Sequence, residues 1–203
     1  MSLSRDAAWQ LLTEWTQSDS LRKHALAVEA ALCGYARRAG ENEEEWGVVA
    51  LLHDFDYERF PVLGEHPVKG CEHLTQLGYP AWVTRAILSH ASEATGVTRD
   101  SPLEKALFAC DEMAGFVTAA ALVRPSKSVL DLEAASVVKR MKDKAFARGV
   151  SREHLQQGAA EIGVPLEEHA ANVIVFMRER AAELGLAGSG LAVPAPPRQA
   201  EER

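Results

Sequence analysis

The chain has 203 residues, enough for one domain with a sizeable core, and its 47% hydrophobic and 25% charged residues are ordinary for a globular protein. The formal net charge of −7 argues against an extended nucleic-acid interface or a membrane-binding face, because both need a basic surface. No apolar run reaches the roughly 18 residues that a membrane span requires, so none is expected.

Helical periodicity dominates the N-terminal third of the chain, and no segment alternates like a strand. A first helix is predicted from Ser4. A second helix is predicted over about 21–39, capped by Ser18–Ser20 and ended by Gly40. A third helix, over about 43–54, carries acids in its first turn, where the helix dipole favours them.

A loop over 55–64 separates these helices from the next ones, since Pro and Gly interrupt the periodicity there. One helix is predicted over 67–77, where a proline occupies the tolerant first turn, and another over 81–91. The segment 101–104 (SPLE) combines a serine cap, a proline and an acid. It predicts the start of a helix that reaches about residue 123.

The C-terminal part of the chain also has helical periodicity, which then stops. Further helices are predicted near 130–135, 137–147, 152–162 and 165–186. From Ala187 the residues are mostly Pro, Gly, Ala and charged residues, which is typical of a disordered tail over 187–203. The sequence therefore predicts an all-α single domain over 1–186 with a tail.

The cysteine pattern bears on the compartment. Cys33, Cys71 and Cys110 are widely spaced and form no CxxC pair, which indicates reduced thiols rather than a disulfide framework or a zinc site. The N-terminus lacks the basic-then-apolar layout of a signal peptide. We therefore expect a cytoplasmic protein.

The pair His53-Asp54 ends an apolar segment, VVALLHD. Both side chains need partners there, because an unpaired carboxylate in a core is strongly unfavourable, and a divalent cation would satisfy both. Such a dipeptide on its own is more often a helix cap or a hydrogen-bonded core feature.

Other histidines and acids are predicted to line the same core. His24 lies near the apolar face of the second helix, His66 starts the helix after the loop and His90 ends the next one. Asp111 lies within the apolar stretch ALFACDEMAGF. Converging imidazoles and carboxylates form a mixed N/O site for one or two divalent ions, and such ligands suit Fe, Mn, Co, Ni, Zn or Mg.

The order of His24, His53-Asp54 and Asp111 resembles the HD-domain superfamily of metal-dependent phosphohydrolases, over about Ser20 to Val123. The resemblance implies an all-α HD-domain helical bundle, with a core over about 20–123 and additional C-terminal helices. It also implies that these four residues bind a metal ion, and that His53 and Asp54 serve catalysis.

Two further segments resemble two-metal members of this superfamily. GEHPVKGCEHLTQLG is similar to the segment after the dyad in HD-GYP cyclic-dinucleotide phosphodiesterases, and SHASE is similar to their later histidine. The similarity implies that His66 and His90 bind a second ion and that Asp54 bridges the two, as in a stand-alone HDIG-type protein. Residues 55–57 (FDY) depart from the HD-GYP pattern of a small residue and a lysine, which argues against cyclic-dinucleotide specificity.

The implied activity is hydrolysis of a small phosphate ester, a nucleotide or nucleotide derivative, by a metal-activated hydroxide. A phosphate also needs a cationic partner. The basic segment 139–148 is interpreted either as a solvated helix face or as a lid over the metal pocket. On the second interpretation Lys127 and Lys144 contact the phosphate.

Two other functions stay open. One is a di-iron oxygenase of the same fold, which would need both His66 and His90. The other is a non-catalytic, metal-containing ligand sensor.

Four polar residues are left out of the ligand set. Asp56 and Glu112 are interpreted either as solvated acids or as groups that orient water or support the metal ligands, and His154 and His169 are expected at the surface because their neighbours are charged.

Overall fold

The computed structural model describes residues 3–62 and 64–188, and these residues form ten helices and no β-strand. The helices are α1 (Arg5–Trp15), α2 (Asp19–Ala39), α3 (Glu43–Leu52), α4 (Val68–Gln76), α5 (Ala81–His90), α6 (Ser92–Thr95), α7 (Pro102–Leu122), α8 (Ala134–Met141), α9 (Arg152–Glu161) and α10 (Leu166–Glu179). The all-α prediction is confirmed. None of these helices is both long and apolar enough to span a bilayer.

Polar caps define the starts of several helices. The side chains of Ser18, Asn42 and Ser101 each accept a hydrogen bond from a backbone N–H in the first turn of α2, α3 and α7. At α7, Glu104 completes a capping box by accepting from the Ser101 N–H. α2 ends at Gly40, which adopts the left-handed conformation (φ 72°) that glycine tolerates best.

The helix predicted over 130–135 is wrong, because residues 129–131 form a bend and a turn, residues 132–133 are irregular, and α8 begins only at Ala134. The Arg178 guanidinium donates to the carbonyl oxygens of Val129 and Leu132, which holds this segment in a non-helical path. Ser128 forms an isolated antiparallel bridge with Ala187. Residues 189–203, which make up most of the predicted tail, lie outside the described residues.

Two other predicted helices end early. α8 stops at Met141 rather than at 147, and Arg152 binds the carbonyl oxygens of the turns that follow. α10 stops at Glu179 rather than at 186. The chain leaves the helix at Arg180, whose guanidinium pairs with the buried Glu29 carboxylate at 2.7 Å.

α3 lies at the centre of the bundle, where seven of its ten residues are buried, and it packs against α1, α2 and α5. Each large apolar side chain buried there stabilises the fold by about 1.5–3 kcal/mol. α7 packs against α2, α5 and α9. The C-terminal end of α3 therefore meets side chains from α2, α5 and α7, and this is where the polar residues gather.

Candidate metal centre

The first cluster consists of His24 from α2, His53 immediately after α3 and Asp111 from α7. His24 Nε2 lies 2.9 Å from Asp111 Oδ1, and His53 Nε2 lies 3.6 Å from the same oxygen. One ligand atom from each residue falls within 4.8 Å of the others, a spacing that a single metal ion could bridge. The core packing of α2, α3 and α7 thus brings these three predicted ligands together.

His53 presents a free nitrogen to this cluster. Its Nδ1–H donates to the Ala50 carbonyl oxygen at 2.7 Å, so in the neutral form of the ring the lone pair is on Nε2. Nε2 is buried and has no hydrogen-bond partner among the described residues. A buried polar atom without a partner costs about 1–3 kcal/mol. A cation beside Nε2 would supply the partner, so the residues present fit a metal ion.

The second cluster consists of Asp54, His66 and His90, whose ligand atoms also lie within 4.8 Å of one another. Asp54 Oδ1 lies 3.2 Å from His66 Nε2 and 3.4 Å from His90 Nε2. The other oxygen, Oδ2, lies 3.6 Å from His53 Nε2 in the first cluster. The two oxygens of one carboxylate thus face different clusters, which is the arrangement that a bridging ligand needs.

Asp56 lies behind the second cluster. Its Oδ1 accepts from His66 Nδ1–H at 2.7 Å and its Oδ2 accepts from the Gly70 N–H at 2.8 Å. A Cβ at position 70 would lie 2.7 Å from Asp56 Cγ, so this close approach requires glycine. The interpretation of Asp56 as a solvated acid is wrong, because its side chain is 1% exposed. It holds His66 with Nε2 directed at Asp54.

The carboxylates and histidines of the two clusters stabilise each other's charged forms. Burial disfavours the charged form of His53, but the Asp54 and Asp111 carboxylates outweigh it and raise the pKa of His53 to about 9. Burial also lowers the pKa of His66, but Asp54 and Asp56 have the larger effect and raise it to about 9. Burial favours protonation of Asp54 and Asp111, yet the neighbouring histidines keep both pKa values below the usual range. In the metal-free protein, protons on His53 and His66 therefore supply positive charge at the two clusters.

A cavity of about 300 Å³, the α7–α9 cavity, adjoins both clusters. It is lined by His90, Ala91, Ser92, Glu93, Ala94, Arg99, Phe108, Asp111, Glu112, His154 and Gln157. His90 belongs to the second cluster and Asp111 to the first, so a ligand in this cavity reaches both. His154, which is expected at the surface, is partly exposed, and it also lines this cavity with Nδ1 3.2 Å from Glu112 Oε1.

A second cavity, of about 310 Å³, is lined by His24 from the first cluster and also by Lys23 and Thr118. The structure does not bring Lys127 or Lys144 to either cavity: both are exposed, and neither lines them. A lid formed by the basic segment is therefore not observed at these cavities.

The expectation that His169 lies at the surface is wrong. It is 1% exposed, its Nε2–H donates to the Ala109 carbonyl oxygen, and its Nδ1 accepts from the Tyr35 hydroxyl. Its role is structural, since neither cluster includes it.

Comparison with known families gives one match. The family model described as HD domain matches residues 21–115, a segment that contains all six residues of the two clusters. α9, which contributes His154 to the α7–α9 cavity, lies beyond the matched segment. Neither the curated proteins nor the solved structures gave a match.

Proposed function

Because the chain belongs to the HD-domain superfamily of metal-dependent phosphohydrolases, we propose that it hydrolyses a small phosphate ester of the nucleotide class with the help of two divalent ions. The observation that carries the proposal is the position of Asp54, whose two oxygens face two separate ligand clusters. Pairs of metal ions about 3.5–4 Å apart are a recurrent arrangement in phosphoryl-transfer enzymes.

Each cluster would hold one ion, with Asp54 shared between them. Bound divalent ions would supply the positive charge that acidifies a water molecule and neutralises the phosphate oxygens. The chain supplies the geometry, because backbone carbonyls at Ala50 and Ile87 fix the Nδ1–H tautomers of His53 and His90. With both Nε2 atoms directed inward, the two rings need no rotation to bind an ion.

The α7–α9 cavity gives the ester access to the centre. It borders both clusters, so a phosphate placed between His90 and Asp111 would lie next to both ions. A cytoplasmic location belongs to the same proposal, since Cys33, Cys71 and Cys110 all carry free thiols, as expected in a reducing compartment.

The test is elemental analysis of the protein as purified, followed by assays against phosphomonoesters and phosphodiesters. We expect about two equivalents of a divalent metal and hydrolysis of at least one ester class. Asp54→Ala should lose metal and activity together, whereas the exposed Asp6→Ala should keep both. Stoichiometric metal in Asp54→Ala would refute the ligand assignment, and a metal-loaded protein inert against the whole panel would refute the activity.

The same measurements separate the two alternatives. A di-iron oxygenase would contain iron at both clusters and would consume oxygen during turnover. A ligand sensor would bind a phosphorylated compound tightly and leave it unchanged.

A further inference from the structure

The α7–α9 cavity extends beyond the two clusters, so part of any bound substrate must lie against residues that hold no metal. We propose that this part is the alcohol portion of the ester and that Glu112 selects alcohol portions carrying a hydrogen-bond donor. The inference rests on the proposed function and names the substrate class: a monophosphate ester with a hydroxyl or amino group close to the ester oxygen and no second anionic group.

Glu112 is held in place for this role. It follows the first-cluster residue Asp111 on α7, and its side chain is 19% exposed. His154 Nδ1–H donates to Oε1 at 3.2 Å, and the Ser151 N–H donates to Oε2 at 3.3 Å. A carboxylate offers about four acceptor positions, so these two contacts fix its orientation and leave acceptor capacity for a ligand.

The cavity has no cation ready for a second anionic group. Among the described residues that line it, Arg99 is the one arginine or lysine. Its Nε and Nη2 groups donate to Glu161 at 2.7 and 2.8 Å, while Nη1 donates to the Ser89 carbonyl and the Ser92 hydroxyl. Arg99 is thus engaged in joining α9 to the α5–α6 segment.

Negative charge dominates the rest of the lining. Besides Glu112 and Asp111, Glu93 lies at the rim with its side chain 82% exposed. The cavity volume, about 300 Å³, is at the lower end of the range of about 300–1,000 Å³ found for ligand sites. The shape and charge therefore fit a small alcohol portion that donates hydrogen bonds, and they disfavour a chain of further phosphates.

The test compares four esters of nearly equal size with the metal-loaded protein: ethyl, 2-hydroxyethyl, 2-aminoethyl and carboxymethyl phosphate. At least one donor ester should exceed ethyl phosphate in kcat/KM by about tenfold to a hundredfold, the effect of one hydrogen bond to a charged group. Carboxymethyl phosphate should be hydrolysed less efficiently than ethyl phosphate. Equal kcat/KM for all four esters would overturn the inference and leave the proposed function intact.

If none of the four is hydrolysed, the proposed function fails for this class, and isothermal titration calorimetry with the same compounds decides the inference. The donor esters must then bind about tenfold more tightly than ethyl phosphate, and equal affinities would overturn it.

The variant Glu112→Gln tests the residue itself, because it preserves shape and removes the charge. The ratio of kcat/KM, or of affinity, between the best donor ester and ethyl phosphate should fall at least about tenfold. The control is Glu153→Gln, which changes the same charge at an exposed position of α9 outside the cavity and should keep the wild-type ratio. An unchanged ratio in Glu112→Gln would overturn the assignment of selectivity to Glu112.

Discussion

Replacing Asp56 by asparagine should weaken the binding of an ion at the second cluster and leave the binding of an ion at the first cluster unchanged. Asp56 touches no ion site directly. It acts through His66. Asp56 Oδ1 accepts a hydrogen bond from His66 Nδ1–H at 2.7 Å, while Oδ2 accepts one from the Gly70 N–H at 2.8 Å. The residues of the first cluster come from α2, α7 and the end of α3, and neither hydrogen bond of the Asp56 carboxylate goes to them.

The size of the effect follows from these two contacts. Asparagine has one acceptor oxygen, so its amide NH₂ must face either the His66 Nδ1–H or the Gly70 N–H, donor against donor. Loss of such an outer hydrogen bond typically costs 10–100-fold in metal affinity, or about 1.4–2.8 kcal/mol. Because the Asp56 side chain is 1% exposed, water cannot easily replace the lost partner, and we expect a value in the upper half of that range.

The assay is metal stoichiometry after dialysis against a graded series of chelator concentrations, with affinities from calorimetry. Asp56→Asn should lose its first ion at a lower chelator concentration than wild-type protein does. Its second ion should be lost at the wild-type concentration. The control is Glu65→Gln, an exposed carboxylate next to His66 in the sequence, which should behave as wild type. Unchanged affinity for both ions in a folded Asp56→Asn protein, or equal weakening of both, would refute the reasoning.

Two further predictions concern protons and packing. With pKa values of about 9 in the metal-free protein, His53 and His66 are protonated at neutral pH, so each must lose a proton when an ion binds. Apparent metal affinity should rise with pH up to about 9, by roughly tenfold per pH unit for each proton released. Calorimetry at pH 7 in buffers of different ionisation enthalpy should detect the released protons. A metal-binding reaction that releases no proton at pH 7 would contradict this prediction. Gly158→Ala should destabilise the protein by about 1–3 kcal/mol in thermal unfolding, because the added Cβ would lie 2.7 Å from the α7 backbone. The control is Gly149→Ala, whose added Cβ would have no neighbour within 4 Å and should leave stability unchanged. Equal stability of the two variants would count against close α7–α9 packing.

Local signals were sufficient to predict most of the helices. The caps at Ser18 and Ser101 and the stop at Gly40 depend on contacts within one or two turns, and such contacts can be read from adjacent residues. The helix over 130–135 was predicted wrongly because the path of this segment depends on Arg178, which is far away in the chain and binds the carbonyl oxygens of Val129 and Leu132.

In the candidate site, too, the sequence predicted the features that depend on local signals and missed those that depend on distant residues. The six predicted ligands lie in two clusters, since each falls on or beside an apolar helix whose buried face could be recognised. Glu112 and His154 are 42 residues apart, and Tyr35 and His169 are 134 apart. The packing of α9 and α10 brings these partners together. Charged neighbours in the sequence therefore led to the wrong prediction for His169, which is 1% exposed.

The first cluster also has a consequence for the lifetime of the protein. His24 and Asp111 are 87 residues apart in the chain, so an ion shared by them would act as a cross-link closing a large loop. Closing such a loop in a flexible chain costs on the order of 4 kcal/mol in entropy, and a bound ion holds it closed. Copies made when metal is scarce would open more often and be degraded sooner. The abundance of the protein, and not only its activity, would then follow the metal content of the cell.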